Sequence, residues 1–481
     1  MRKQKDLEIL NKEAEIQAAI EKEKEVPPVP TTMQVVATAD TQTNGAATKR
    51  KSPAHDDDDG SFTVVKAKKR QEGSVISQLA GRLPFLTMTS QTAANTFKKL
   101  IHICNKNHIL NIERLATGNN VTALKYGPLG SQLKRNIFNE WFCSLINNND
   151  INIFPVEFPI PKKHTFLLPK TTQESSSDLL HDVLYNYFKI HHRFGCSLPF
   201  GLAAYGPCLN KNLLDEQSSD LVNFDMLNDL EAWTRISVIF FCPSKKSLNW
   251  FHHWSKQRYL WWRKYSSIPS KFSMSDVTKT SLNDQQLSLL LENPWGKDQL
   301  ETITLHDNKS VEEFCQKHAI QLGIDKHQQD SMPAIVSCEA NLDLAVLAYL
   351  ANSYAEKWRE DKNKNVFHLH YKLAPYKVSL ALEDTDAERL KKLKNVANHL
   401  TKELKESGIN VLPESNSCFS DPIHLNFEKC DEMGIPYTIV LNENSLQTGI
   451  AGLRNRDTTL QEEVHITELS PKLAKYLKIK S

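Results

Sequence analysis

The chain has 481 residues, more than one hydrophobic core ordinarily supports, so two or more domains and some chain outside them are expected. Apolar residues make up 40% and charged residues 24%, and no uninterrupted apolar stretch is long enough to cross a bilayer, so no membrane partner is expected. The net charge of +2 leaves any nucleic-acid binding to a local patch rather than to the surface as a whole.

Residues 1–97 are expected to form an extension outside the folded body. Residues 1–72 begin with a Lys/Glu-rich helical stretch, pass through Val26-Pro27-Pro28-Val29-Pro30 and an Ala/Thr run, and reach the acidic block Asp56–Asp59. They hold too few large apolar residues to offset an ordering cost of about 1–2 kcal/mol per residue, so disorder is expected. Two basic clusters, Lys49-Arg50-Lys51 and Lys66–Arg70, have the spacing of a bipartite nuclear import signal, with a solvated charge run as the plainer alternative. Gly73–Ile112 has no Asp or Glu and carries Arg82, Lys98, Lys99 and Lys106, the composition of a mitochondrial presequence lying inside the chain. The N-terminus mixes Asp6, Glu8, Glu13 and Glu15 with lysines and does not suit that role.

Residues 98–360 read as a mixed α/β body. Leu129, Leu133, Ile137, Trp141 and Leu145 recur every four residues and predict a helix with Lys134 and Arg135 on its other side. Ile236–Phe241, stopped by Pro243, predicts a buried strand. The helix after it, Ser247–Tyr265, puts Leu248, Phe251, Trp254, Trp261 and Tyr265 on one side among interleaved cations. Such a pattern either stacks on nucleic acid or fills a core beside a solvated face, and the tryptophans are assigned to the core. Lys256, Arg258, Arg263, Lys264 and Lys271 are the DNA-binding candidates, because phosphate contact needs charge and little geometry.

A charged link, Glu356–Asn365, precedes a smaller unit over residues 366–481. Val378, Leu380 and Leu382 alternate with Lys377, Ser379 and Ala381, which predicts a strand over Tyr376–Leu382. Thr385 and Glu388 have capping-box spacing for a helix carrying Leu390, Leu393, Val396, Ala397, Leu400 and Leu404, which Gly408 ends. A strand at Val411, a helix over Pro422–Asp431 and a strand over Tyr437–Leu441 complete an expected βαβαβ with a parallel sheet.

Catalytic and metal-binding patterns are missing. The nine cysteines, Cys104, Cys143, Cys196, Cys208, Cys242, Cys315, Cys338, Cys418 and Cys430, stand singly with no CxxC, and read as small buried or half-buried side chains. His191-His192 and His252-His253 are neighbours that point apart on a helix and read as packing or exposed groups rather than metal ligands. Asp421, Glu428, Asp431 and Glu432 read as helix-end or solvated carboxylates rather than an acid/base pair. There is no Walker A loop, GxSxG, HExxH or GxGxxG after a strand, and no catalytic residue, cofactor or metal is expected.

Several strings carry a family resemblance. Tyr126-Gly127-Pro128-Leu129-Gly130 followed by Leu133 and Trp141, and Leu198-Pro199-Phe200-Gly201-Leu202-Ala203, resemble the entry and the motif 2 approach of class II glycyl-tRNA synthetases. Cys430–Leu441 and Gly452–Ile466 are similar to the anticodon-binding domain of the same enzymes. A closer resemblance is to the accessory subunits of mitochondrial DNA polymerase gamma, carried by Leu260-Trp261-Trp262-Arg263-Lys264, Pro269-Ser270-Lys271-Phe272-Ser273, Ser275-Asp276 and Asn293-Pro294-Trp295-Gly296-Lys297. The resemblance runs from about Leu100 to Ile479.

It implies an α/β fold: a class II synthetase-like core with a mixed, mainly antiparallel sheet, followed by an anticodon-binding-like α/β domain. It also implies loss of synthetase chemistry. Leu209-Asn210-Lys211-Asn212 stands where the glycyl enzyme has Phe-Arg-Asn-Glu, and Asn341-Leu342-Asp343-Leu344 where motif 3 has Gly-x-x-Arg, so both phosphate-clamping arginines are gone. The implied role is a non-catalytic processivity subunit in the mitochondrial matrix, with the polymerase catalytic subunit, met through residues 366–481, and primer-template DNA as partners. Dimerisation in the family uses a helical insertion, and here the interval offers only the helix Leu179–Phe194, so no stable homodimer is expected. Two alternatives stay open: a tRNA-binding or active synthetase relative, and a nuclear adaptor acting through the basic extension.

Overall fold

The computed structural model describes residues 90–114, 121–147, 151–157, 193–194, 197–209, 230, 232–280, 283–307, 309, 312, 316, 333–359, 362–384, 386–413 and 422–478. The two basic clusters, residues 1–89 of the extension, the expected helix from 179 to 192, His191-His192, Asn210–Asn212, Thr385, Asp421, Cys196, Cys315 and Cys418 lie outside them.

Ser90–Lys106 (α1) leads into an antiparallel hairpin, Leu110–Arg114 (β1) with Val121–Tyr126 (β2), and then into Pro128–Ile146 (α2). Pro128 suits the first turn of α2, where its missing N–H has no helical partner to lose. The side chains buried along α2 are Leu129, Leu133, Ile137, Trp141 and Leu145, the stripe that the four-residue recurrence predicts. Gly130 lets the helix backbone lie against β1: a Cβ there would stand 1.8 Å from the Ile109 carbonyl oxygen.

The central sheet collects Asn152–Glu157 (β3), Phe200–Leu209 (β4), Ala232–Cys242 (β5), Phe272–Met274 (β6), Thr278–Lys279 (β7), Gln285–Asn293 (β8), Gly296–Leu305 (β9) and Ala334–Asn341 (β10). Its order is β3-β4-β5-β10-β9-β8-β6, with β7 beside β8; β3 and β4 pair in parallel and the other neighbours are antiparallel. Ser247–Lys264 (α3) follows β5, and Leu342–Ser353 (α4) follows β10. Alternate residues of the sheet, among them Ile236, Val238 and Phe240 of β5 and Val336, Cys338 and Ala340 of β10, join α2, α3 and α4 in the larger hydrophobic core.

Glu356–Asn365, expected as a charged link, lies instead within a hairpin, Tyr354–Arg359 (β11) against Lys362–Phe367 (β12). Backbone pairing there needs no apolar alternation, and the Tyr354 hydroxyl to Asn365 and the Lys364–Glu428 ion pair anchor the hairpin laterally. Phe367, Leu369, Leu373 and Ala374 still pack in the larger core. The change to a second core comes between Ala374 and Val378 rather than at Val366.

That second core surrounds Val378–Glu383 (β13), Ala387–Glu406 (α5), Ile423–Glu432 (α6), Tyr437–Asn442 (β14), Glu443–Thr448 (α7), Ile450–Asn455 (β15), Gln461–His465 (β16) and Ile466–Tyr476 (α8). The cap of α5 is Asp386, whose carboxylate accepts from the Glu388 N–H at 3.2 Å, one residue after the expected Thr385. The sheet order is β13-β14-β15-β16, parallel only between β13 and β14. The expected βαβαβ keeps its parallel direction, since β13 pairs with β14 in parallel and Val411 meets Val378 in parallel, but Val411 contributes only that single bridge rather than a strand. β15 and β16, which lie outside that expectation, add antiparallel pairs. The connection after β14 is only α7 and Gly449, at φ +71°, and a parallel crossover needs a dozen residues or more.

Candidate nucleic-acid interface

Helix α3 sorts its residues by depth. Phe251, Trp254, Arg258, Trp261 and Trp262 face inward, and Tyr265 just beyond the helix end is buried with them, which agrees with a core role for the tryptophans. Trp262 stacks on Tyr349 of α4, with ring centroids 5.6 Å apart. Leu248, expected on this apolar side, is instead 48% exposed.

Arg258 is the main correction among the DNA-binding candidates. Its side chain is 2% exposed, its Nε donates to Glu301 at 2.7 Å, and its guanidinium lies 4.7 Å from the Trp261 ring centre. The other Glu301 oxygen accepts from the Trp262 indole at 2.6 Å. A guanidinium committed to a buried carboxylate has no free charge for a phosphate. The signal lies in the spacing: Arg258 stands four residues after Trp254 and four before Trp262, on the apolar stripe itself.

Lys256 and Lys264 are exposed, and Arg263 and Lys271 half-exposed. Lys256 and Arg263 are seven residues apart, two helical turns or about 10 Å along one side of α3. Arg263 lies over the Tyr259 ring at 5.0 Å and donates from Nε to the Pro269 carbonyl at 3.2 Å, which holds the turn carrying Lys271 against the helix end. Lys245 and Lys246, exposed just before α3, extend the row and are not among the candidates that the sequence alone nominates. A countable signal points to them: Pro243–Ser275 contains seven Lys and Arg and no Asp or Glu. Except for Arg258, none of those seven has an ion-pair partner among the described residues.

At the position of motif 3 the structure is closed. Asn341 caps α4, accepting from the Asp343 and Leu344 N–H groups at 2.8 and 3.1 Å, and Leu344 is buried in the larger core. Asp343 accepts from Tyr126 at 2.7 Å, Lys134 at 2.6 Å and the Thr234 N–H at 2.7 Å, joining β2, α2, β5 and α4. Lys134, expected to face outward, is thereby drawn inward, and burial followed by Asp343 raises the Tyr126 phenol well above its ordinary pKa. One arginine does stand beside Asn341: Arg235, its partner across β5 and β10. Burial raises the pKa of Glu339, and the charge of Arg235 works against that rise, so Arg235 serves a neighbouring carboxylate.

The remaining singled-out groups serve packing. His252 is exposed, and His253 sits between Trp250 and Trp254 with burial lowering its pKa. Cys104, Cys208, Cys242, Cys338 and Cys430 are buried, and Cys143 is exposed. Glu428, Asp431 and Glu432, expected at helix ends or in solvent, pair with Lys364, Arg454 and Lys106 respectively. The Arg454–Asp431 pair is bidentate at 2.9 Å in both bonds.

Residues 381–476 match the family described as the anticodon binding domain. The chain is 28% identical to DNA polymerase subunit gamma-2 of Mus musculus, over 79% of this chain and 90% of that protein. It is 26% identical to the mitochondrial DNA polymerase subunit gamma-2 of Xenopus laevis, over 79% and 87%. A glycine–tRNA ligase of Treponema denticola is 23% identical over 65% of this chain and 66% of the ligase.

Proposed function

For a chain related over most of its length to the DNA polymerase subunit gamma-2 proteins, and more distantly to glycine–tRNA ligases, we propose the role of a non-catalytic accessory subunit of mitochondrial DNA polymerase. In this reading the protein works in the mitochondrion, binds the catalytic subunit through the C-terminal unit, holds primer-template DNA and so lengthens synthesis. The observation that carries the DNA-binding part is the acid-free row of exposed cations along α3. Phosphate binding requires such a row and little else, since each neutralised phosphate releases counterions.

The absence of synthetase activity is supported by Leu344, which puts an apolar side chain into the core where the motif 3 arginine would be. Purified protein is expected to give no glycine-dependent exchange of pyrophosphate into ATP, and exchange above a heat-killed control would overturn this. A monomer that pairs one to one with the catalytic subunit is the expected assembly, and sedimentation equilibrium at micromolar concentration checks it.

The central test is primer extension by the catalytic subunit across salt concentrations, with and without this protein. The variant Lys256→Ala/Arg263→Ala/Lys264→Ala/Lys271→Ala should bind duplex DNA more weakly, with a salt slope flatter by about 0.9 for each phosphate no longer neutralised. Arg258 is left in place because it is buried. Failure of the intact protein to lengthen products or raise salt tolerance would sink the reading.

A further inference from the structure

Just beyond the last turn of α3, a cavity of about 380 Å³ opens where the two hydrophobic cores meet. Its walls come from three stretches: Ser266 and Ser267 after α3, His368–Tyr371 between the cores, and the ends of β14 and β15 with Tyr437 and Asp457. The volume falls in the range of about 300–1,000 Å³ typical of small-molecule sites.

The lining is specific in chemistry. The His370 and Tyr371 rings stack at 4.3 Å, and Tyr437 stacks on Tyr476 at 5.9 Å, which builds flat π surfaces held by their neighbours. The Lys372 N–H donates to His370 Nδ1 at 3.2 Å, so Nε2 carries the ring proton and is a donor. Asp457 is an acceptor: its carboxylate takes hydrogen bonds from His368 at 2.6 Å and from Arg456 at 3.0 Å. Burial alone would raise its pKa, but those two partners outweigh burial and keep it ionised.

These features discriminate among ligands. A phosphate would face the Asp457 carboxylate, and a purely apolar ligand would cover a carboxylate that is 52% exposed and take away the solvent it meets. A planar heterocycle with N–H donors fits both the rings and the acceptor. The cavity also adjoins the cationic row: Lys264 lies 5.1 Å from the Tyr265 ring centre, and Tyr265 meets His370 edge-on at 5.3 Å.

We propose that this cavity takes one unpaired nucleobase, with the phosphates of its strand on Lys264 and Arg263. The proposal rests on the reading of α3 as a nucleic-acid surface. It makes the protein a reader of the junction between duplex and single strand, because the face and the edge N–H groups of a base that the rings and Asp457 would meet are free only when the base is unpaired.

The test uses the full chain and three ligands: a blunt duplex, the same duplex with a single-stranded extension carrying 2-aminopurine at successive positions, and adenosine monophosphate. The extension should tighten binding about tenfold, as stacking of one base would, and 2-aminopurine should be quenched at one position. Tyr371→Leu and Asp457→Asn should each lose most of that gain and the quenching, with blunt-duplex affinity unchanged. Release of the quenching by adenosine monophosphate would assign recognition to the base alone; its persistence would assign it to a base delivered by the strand.

Equal binding of blunt and extended duplexes without quenching at any position would overturn the proposal and leave the α3 surface standing. Blunt-duplex binding untouched by the fourfold α3 substitution would remove that surface instead. If Tyr371→Leu, or Asp457→Asn, which leaves the buried Arg456 without its charge partner, fails to fold, the position-dependent quenching on the intact protein carries the test.

Discussion

Arg258 and Glu301 sit together at 2% and 1% exposure, where a charge is compensated only through its partner. Arg258→Met would leave the Glu301 carboxylate with the Trp262 indole alone, and a loss of about 3–5 kcal/mol in denaturant unfolding is expected. Combining it with Glu301→Gln should recover much of that loss, since the uncompensated charge is then gone. Neither change should alter the salt slope of the proposed DNA binding. His370 titrates for a different reason: burial first lowers its pKa, Lys372, Lys264 and Lys377 add to the fall, Glu140 opposes it, and the result is about 4. In the unfolded chain the ring takes its proton near a pH of about 6.5. Between those values the unfolded state binds more protons, so His370 contributes stability that is present above a pH of about 6.5 and is lost as pH falls toward about 4. His370→Asn should flatten that part of the stability profile, measured by urea unfolding at pH values of about 7 and about 4.5.

Helix α2 depends on backbone contact as much as on its apolar stripe. Gly127 and Gly130 let its first turn meet the start of β1, and an added Cβ would stand 2.0 Å from the His108 oxygen or 1.8 Å from the Ile109 oxygen. Neither obstacle is a flexible side chain. Gly130→Ala should therefore cost at least the roughly 1–3 kcal/mol of ordinary overpacking, although alanine is the better helix former. Asp386→Ala, which removes the α5 cap and a 3.7 Å ion pair with Arg389, should cost about 1 kcal/mol, and urea midpoints of the two variants should rank in that order.

The two cores are joined by residues 366–377, and Glu140 of α2 is a hub of that joint. It accepts from the Tyr265 hydroxyl at 2.6 Å and from Lys372 at 3.3 Å, while Asn136 donates to the Leu373 and Ala374 carbonyls at 3.1 and 2.8 Å. Phe367, Leu369, Leu373 and Ala374 belong to the larger core although they follow or end β12. A chain ending at Asn365 should consequently unfold at lower denaturant than one ending at Tyr376, although the two differ only by a short segment. Equal stability of the two would show that those four side chains add little to the larger core. Whether the C-terminal unit carries the proposed polymerase binding is then best tested with the chain ending at Tyr376, which keeps Phe367, Leu369, Leu373 and Ala374 of the larger core.

Periodicity is enough to read α2, the body of β5, the tryptophan face of α3 and the β13–α5 pair, because a helix or strand repeats its environment every 3.6 or 2 residues and burial follows that repeat. The acid-free row is legible in the same way, since it needs only a count of signs along the chain. What the sequence alone leaves undecided involves partners far apart in it. Arg258 stands on the apolar stripe, but only Glu301, in another strand, shows that its charge is taken; Lys134 reads as solvent-facing until Asp343 draws it inward; and no local pattern foretells that β15 turns back beside β14. The cavity between the cores belongs to the same class, because its lining comes from residues 266 to 457 and no local pattern brings them together. Local regularity determines which elements form, and only tertiary packing determines which charges are neutralised and which surfaces remain for a ligand.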